Sequence, residues 1–200
     1  MNNENIYYYR IFDDFLKNIN NNNNILLYID NYFNPLDNFN HIIKKKHIHL
    51  YCIVSNQNIY NKLSENIKDE ENEDNIHIYN NINEMNNVKL NYIISFNILS
   101  ITHLKIFLES LINIIDNNTM IFIYCNISNE TEDIIKYKNI IRTKIQKFIK
   151  NNIGYLLSLS ETISIIEDLK YNINKILIYK KNHYIIYGDN MIYELSIKLK

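Results

Sequence analysis

Short apolar runs alternate along the chain with stretches whose apolar residues recur every three or four positions. Strands buried on both faces, joined by helices that cross between them, leave this pattern. Residues 25–29 (Ile-Leu-Leu-Tyr-Ile) form the first run, leading into a loop and then a helix by Phe39. A second strand is expected over 47–54. Residues 56–67 follow as a helix, with Ile59, Tyr60, Leu63 and Ile67 on one face. Two more runs, 76–79 and 90–96, are short enough to be sheet strands.

From 100 to 115 the apolar positions 101, 104, 107, 108, 111, 112 and 115 make one stripe, as a helix laid on a sheet requires. Residues 120–125 then read as a strand and 133–149 as a second amphipathic helix. Its acids gather at the start and its bases follow, matching the helix dipole. Beyond it, 155–166, 175–180, 184–187 and 191–199 leave no room for crossover helices and are expected to pair as antiparallel strands. Tyr187-Gly188-Asp189-Asn190 is the hairpin signal, Gly188 supplying the positive φ of a tight turn. The expected class is α/β, a mainly parallel sheet flanked by helices with an antiparallel C-terminal hairpin. One domain over 1–200 is expected, with 20–24 and 68–75 as surface loops.

Composition changes this picture little. Enrichment in Asn, Ile, Lys and Tyr follows from A+T-rich coding and carries no function of its own. With 21 basic and 22 acidic residues the chain has a net charge of -1, so any nucleic-acid contact must be a local patch. Lys136, Lys138, Arg142, Lys144, Lys147 and Lys150 supply one, on and beside the expected helix 133–149. Such a patch suits an RNA backbone or an acidic protein partner, gripped in a salt-sensitive way, although most such runs are solvated helix surface. Cys52 and Cys125 each lie in an apolar run and are expected to be buried, reduced thiols. No basic leader begins the chain, and no apolar run reaches the ~18 residues of a membrane span, so a cytoplasmic protein without a membrane partner is expected.

Candidate chemistry is sparse. A phosphate-binding loop needs glycines, because backbone N–H groups must come close to the phosphates through conformations closed to other residues. The chain has two, Gly154 and Gly188, both far from the first strand. Lys44 to Lys46 come too late after Ile29 to serve as a phosphate-loop lysine, and Asp30 reads as a cap or turn residue. Where a catalytic acid would end the fourth strand stand Ser95, Phe96 and Asn97. His47 and His49 are placed on one strand face with His41 nearby, but no third ligand is identifiable. No catalytic residue, cofactor or metal site is therefore assigned.

Four stretches carry a family resemblance. They are residues 25–29 with the glycine-free loop after them; 49–63 (His-Leu-Tyr-Cys-Ile-Val-Ser-Asn-Gln-Asn-Ile-Tyr-Asn-Lys-Leu); 92–100 (Tyr-Ile-Ile-Ser-Phe-Asn-Ile-Leu-Ser); and 184–195, with its Tyr-Gly-Asp-Asn turn. In order they resemble the small, Walker-less RecA-type subunits of the Elongator complex, the sixth subunit most of all. Family members carry an acid near the turn at 95–97 and a glycine in the segment matching 159–169, and both are missing here. The resemblance implies a RecA-like fold, that of a P-loop NTPase without the loop. It further implies a noncatalytic scaffold in a hetero-oligomeric ring of other protein subunits, binding tRNA and supporting modification of its wobble uridine. The competing resemblance is to a degenerate Rossmann-like methyltransferase domain with a structural or assembly role. There, residues 90–127 would be the fourth strand, a helix and the fifth strand, and the sheet order would be 3-2-1-4-5-7-6.

Overall fold

The computed structural model describes residues 3–29, 36–54, 56–68, 75–85, 88–96, 101–128, 159–180 and 190–199. Two compact units divide the chain, one of Met1–Phe96 with Asn118–Met120, the other of Asn97–Asn117 with Ile121–Lys200.

The first unit opens with a helix missing from the sequence-based expectation, α1 (Asn3–Asn18). Its signal is nonetheless present: Tyr8, Phe12 and Leu16 recur every fourth residue and all three are buried. Then follow β1 (Asn24–Ile29), α2 (Leu36–Lys46), β2 (His49–Val54), α3 (Gln57–Lys68), β3 (Ile76–Tyr79) and β4 (Tyr92–Phe96). Between β3 and β4 the described chain holds one short 3-10 turn, Ile82–Glu84. All four strands are parallel, in the order β3-β2-β1-β4. Ile25, Leu27 and Ile29 share a face with Leu50, Cys52 and Val54 and with Tyr92, Ile94 and Phe96. α1 packs on that face: Phe15 meets the Tyr92 ring edge-on at 5.3 Å, and Tyr8 lies 5.2 Å from the Phe96 ring. Strand and helix therefore run in opposite directions.

Asparagine ties the amino ends of these strands together. Asn22 takes a left-handed conformation (φ 59°) and donates its N–H to Lys46 O. The Asn91 carboxamide oxygen accepts from Asn24 N at 2.9 Å, while Asn24 Nδ2 donates to Lys89 O at 2.8 Å. Thr119 Oγ1 donates to Leu90 O at 2.9 Å from a buried position. Residues 20–23 thus form a turn in which Asn23 Nδ2 donates to Asn20 O at 2.6 Å, since Asn tolerates positive φ and bonds its neighbouring backbone.

The second unit contains α4 (Ile101–Leu111), β5 (Met120–Ser128), α5 (Leu159–Asp168), β6 (Tyr171–Lys180) and β7 (Asn190–Leu199). Its strands are antiparallel in the order β5-β7-β6, with a register shift between Ile173 and Lys175. The expected strand over 155–166 is corrected, because 159–168 is helical and packs against α4 and β6. Buried Thr162 and Ile166 mark its helical period, which four β-branched residues in that stretch disguise. Tyr171, wholly buried, donates its hydroxyl to Leu108 O at 2.8 Å, and burial pushes its phenol up to about 12. The chain is thus α/β, mostly parallel, with an antiparallel edge. The Gly188 hairpin and the expected helix 133–149 lie outside the described residues.

Candidate functional site

Parallel strands joined by crossover helices present all their carboxyl ends at one edge, and ligands settle there at the point where chain order reverses. In the first unit β1, β2 and β3 proceed in one direction and β4 lies on the other side of β1, so the reversal falls between β1 and β4. Register makes this edge level: Ile29 pairs with Val54, Ile53 with Tyr79, and Tyr28 with Ser95. Ile29, Val54 and Phe96, the last residues of β1, β2 and β4, are buried on the face that α1 covers, and Ser95 is buried on the opposite face.

Polar groups stand beyond β2 and β3. Asn56 caps α3, its Oδ1 accepting from Asn58 N at 2.9 Å and Ile59 N at 3.4 Å. That oxygen is already occupied where a ribose-binding carboxylate stands in dinucleotide folds. After β3, Asn81 Oδ1 accepts from Asn83 N at 3.0 Å and Glu84 Oε2 from Asn80 N at 3.3 Å, two separate side-chain acceptors that close the turn. Asn80, Asn81 and Asn83 are exposed. Residues 30–35 and 97–100, which follow β1 and β4 in the sequence, lie outside the described residues, Asp30 and Asn97 among them.

The other residues singled out in the sequence go elsewhere. Lys46 sits at the opposite, amino edge, where its ammonium donates to Lys17 O and Ile19 O, both at 2.7 Å, and closes the C-terminus of α1. Lys46→Met should lower stability by about 1–2 kcal/mol in a urea melt while leaving ligand binding at the carboxyl edge intact. Loss of ligand binding by a folded Lys46→Met protein would contradict this placement. His47 is not on β2 as expected: it occupies the preceding turn with φ 52°, while β2 begins at His49. His49 instead stacks on His77 of β3 at 6.2 Å, and His77 on Tyr51 at 4.9 Å. Among the described residues no group of three or more His, Cys, Asp or Glu could hold a metal ion. Cys52 is buried and desolvation drives its thiol strongly upward, so it is a core residue. The basic residues Lys136, Lys138, Arg142, Lys144, Lys147 and Lys150 lie outside the described residues. No helix among those described is long and apolar enough to cross a membrane.

No family model matches the chain, and no curated protein matches it in sequence. Solved structures do match in shape. The cyclopropane synthase MmaA2 from Mycobacterium tuberculosis superposes with a TM-score of 0.70 at 8% identity, over 94% of this chain and 83% of that one. The mycolic acid cyclopropane synthase CmaA1, complexed with SAH and CTAB, gives 0.67 at 9% identity over 90% and 79%. TYW2 from M. jannaschii, in complex with AdoMet, gives 0.56 at 18% identity over 100% and 78%. At these identities the likeness defines the fold alone. That fold is the Rossmann-like one of S-adenosylmethionine-dependent methyltransferases.

The Elongator resemblance is thereby corrected, and with it the RecA-like fold, the pseudo-ATPase reading and the scaffold role in tRNA wobble modification. The expectation of a noncatalytic chain, drawn from the missing glycines and acid as well as from that resemblance, is corrected too, since the similar structures are methyltransferases. Both folds alternate strands and helices, and the four stretches that carried the resemblance fit either one. Strand order separates them. The orders within the units, 3-2-1-4 and 5-7-6, are those the methyltransferase-like alternative requires, and its assignment of 90–127 matches β4, α4 and β5.

Proposed function

We propose that the chain binds S-adenosylmethionine at the carboxyl edge of its first unit and transfers the methyl group to an acceptor. The observation that carries this reading is the chain reversal between β1 and β4 above a level strand edge, in a fold shared with proteins solved with AdoMet or SAH bound.

The described residues fit the nucleoside part of such a donor. The exposed carboxamides of Asn80 and Asn83, just beyond the carboxyl end of β3, offer donors and acceptors to a base edge. Asn56 Oδ1, held by α3, leaves recognition of the ribose hydroxyls to other groups at this edge. When bound, the donor supplies an electrophilic methyl on a sulfonium.

Lack of glycine after β1 is a weaker objection than it looks from sequence, because this chain meets positive φ without glycine at Asn22, His47 and Lys170. The segment after β1 reads Asp30-Asn31-Tyr32-Phe33-Asn34-Pro35, and Asn is the residue other than Gly that enters that region most readily.

Thermal denaturation with S-adenosylhomocysteine tests the reading, with ATP as the control nucleotide. At about 100 times its dissociation constant, a ligand of the folded state adds ~2.7 kcal/mol, which for a chain of this size raises Tm by roughly 5–10 °C. S-adenosylhomocysteine should produce that shift and ATP should not. No shift with S-adenosylhomocysteine, or an equal shift with ATP, would remove the proposal.

A further inference from the structure

We infer that Lys175, set at a bulge in β6, keeps the outer edge of that strand from pairing with a second copy of this chain. This role is independent of the donor site proposed above.

An outer strand carries a row of backbone N–H and C=O groups that another strand can bond. Among the described strands two are outer, β3 in the first unit and β6 in the second. β3 has four residues, too few to offer a long ladder. β6 has ten, and bonds β7 on one side. Its first half is open to solvent: Asn172, Asn174 and Lys175 are exposed, and Ile176 keeps 36% of its surface exposed. Such an edge invites strand addition unless something opposes it.

The register supplies the opposition. Ile173 pairs with Ile197 and Lys175 with Ser196, so Asn174 is the extra residue of a bulge. Strict alternation would carry Ile173 and Ile176 to opposite faces, whereas the bulge leaves both on the face of Leu195 and Ile197. Lys175 is thereby set on the other face, opposite buried Ser196, where the strand bends and the outer row of backbone groups is broken. A second copy joined antiparallel to the exposed stretch would be related by a two-fold axis near its middle. The two Lys175 ammonium groups would then stand opposite one another or one pair apart, within about 8 Å. Like charges at that range oppose pairing, and the broken row offers no regular ladder in return.

Sedimentation of the full chain at about 50 µM tests this with Lys175→Val and Lys175→Glu, each alone and the second also mixed with wild type. Lys175→Val should raise the dimer fraction about tenfold over wild type. Lys175→Glu loses the same lysine but keeps like charges on both copies, so alone it should match wild type. Mixed with wild type it should form a dimer that salt weakens. A Lys175→Val protein no more associated than wild type overturns the inference. So does Lys175→Glu associating alone as strongly as Lys175→Val, or a mixture that stays as monomeric as its parts.

Discussion

Leu27→Ala should lower the unfolding free energy by about 2–5 kcal/mol, a large share of the ~5–15 kcal/mol that stabilises a domain. Leu27 has no exposed surface and lies in β1, between Cys52 of β2 and Ile94 of β4, both also buried. Truncation there removes about three carbons from water-free surroundings and leaves a cavity that a strand bonded on both sides cannot collapse to fill. Ile106→Ala on α4 is the contrast. With 59% of its surface exposed, that side chain should cost less than about 0.5 kcal/mol. Urea denaturation with an unchanged slope reads both. A Leu27→Ala loss below about 1 kcal/mol would mean that β1 is not the packed centre of its unit.

Much of the architecture was legible because parallel strands buried on both faces announce themselves locally. Residues 76–79 are the strand β3, 92–96 and 120–128 overlap the expected runs, and α3 and α4 fall at the expected helices, although α4 ends at Leu111 and Ile112 of the expected stripe is exposed. Failures came where local signals conflict. Tyr7, Tyr8 and Tyr9 at the head of α1 are residues common in strands, yet the helix is specified by the fourfold spacing of Tyr8, Phe12 and Leu16. The β-branched residues of α5 misled in the same way, since tertiary packing overrode their preference.

The site was hardest to see for a different reason. Its position is set by which strand lies beside β1, a pairing between Ile25–Tyr28 and Tyr92–Ser95 separated by more than sixty residues, and apolar runs do not encode partners. Asn56 and Glu84 were missed because side chains that close caps and turns look in sequence like any other polar loop residue. The spacing of Asn81 and Glu84 across Ile82-Asn83 was the available signal, a polar cap answered by an acid three residues on.

Stability should fall steeply in mild alkali, and Cys52 should be its main cause. Burial holds the Cys52 thiol protonated in the folded chain, whereas in the unfolded chain it ionises near its ordinary value of about 8.5. Above that pH the folded state therefore carries more protons than the unfolded one, and stability declines as pH rises. The contribution is fully present below about pH 8.5 and shrinks toward ~1.4 kcal/mol per pH unit, or about 2 kcal/mol by pH 10. Tyr171, raised to about 12, acts in the same direction only once its unfolded form begins to ionise, near pH 10. Urea melts from pH 7 to 10 in a Cys125→Ser background isolate the thiol, and Cys52→Ala in that background should flatten the decline. The same burial predicts that iodoacetamide labels Cys52 only through opening of the β1–β2–β3 ladder, at a rate that urea accelerates in step with unfolding. Native labelling at the rate of a free thiol, or an unchanged alkaline slope in Cys52→Ala, would show that the centre of β2 is open to solvent and that the packed face shared by Leu27 and Phe96 is not closed.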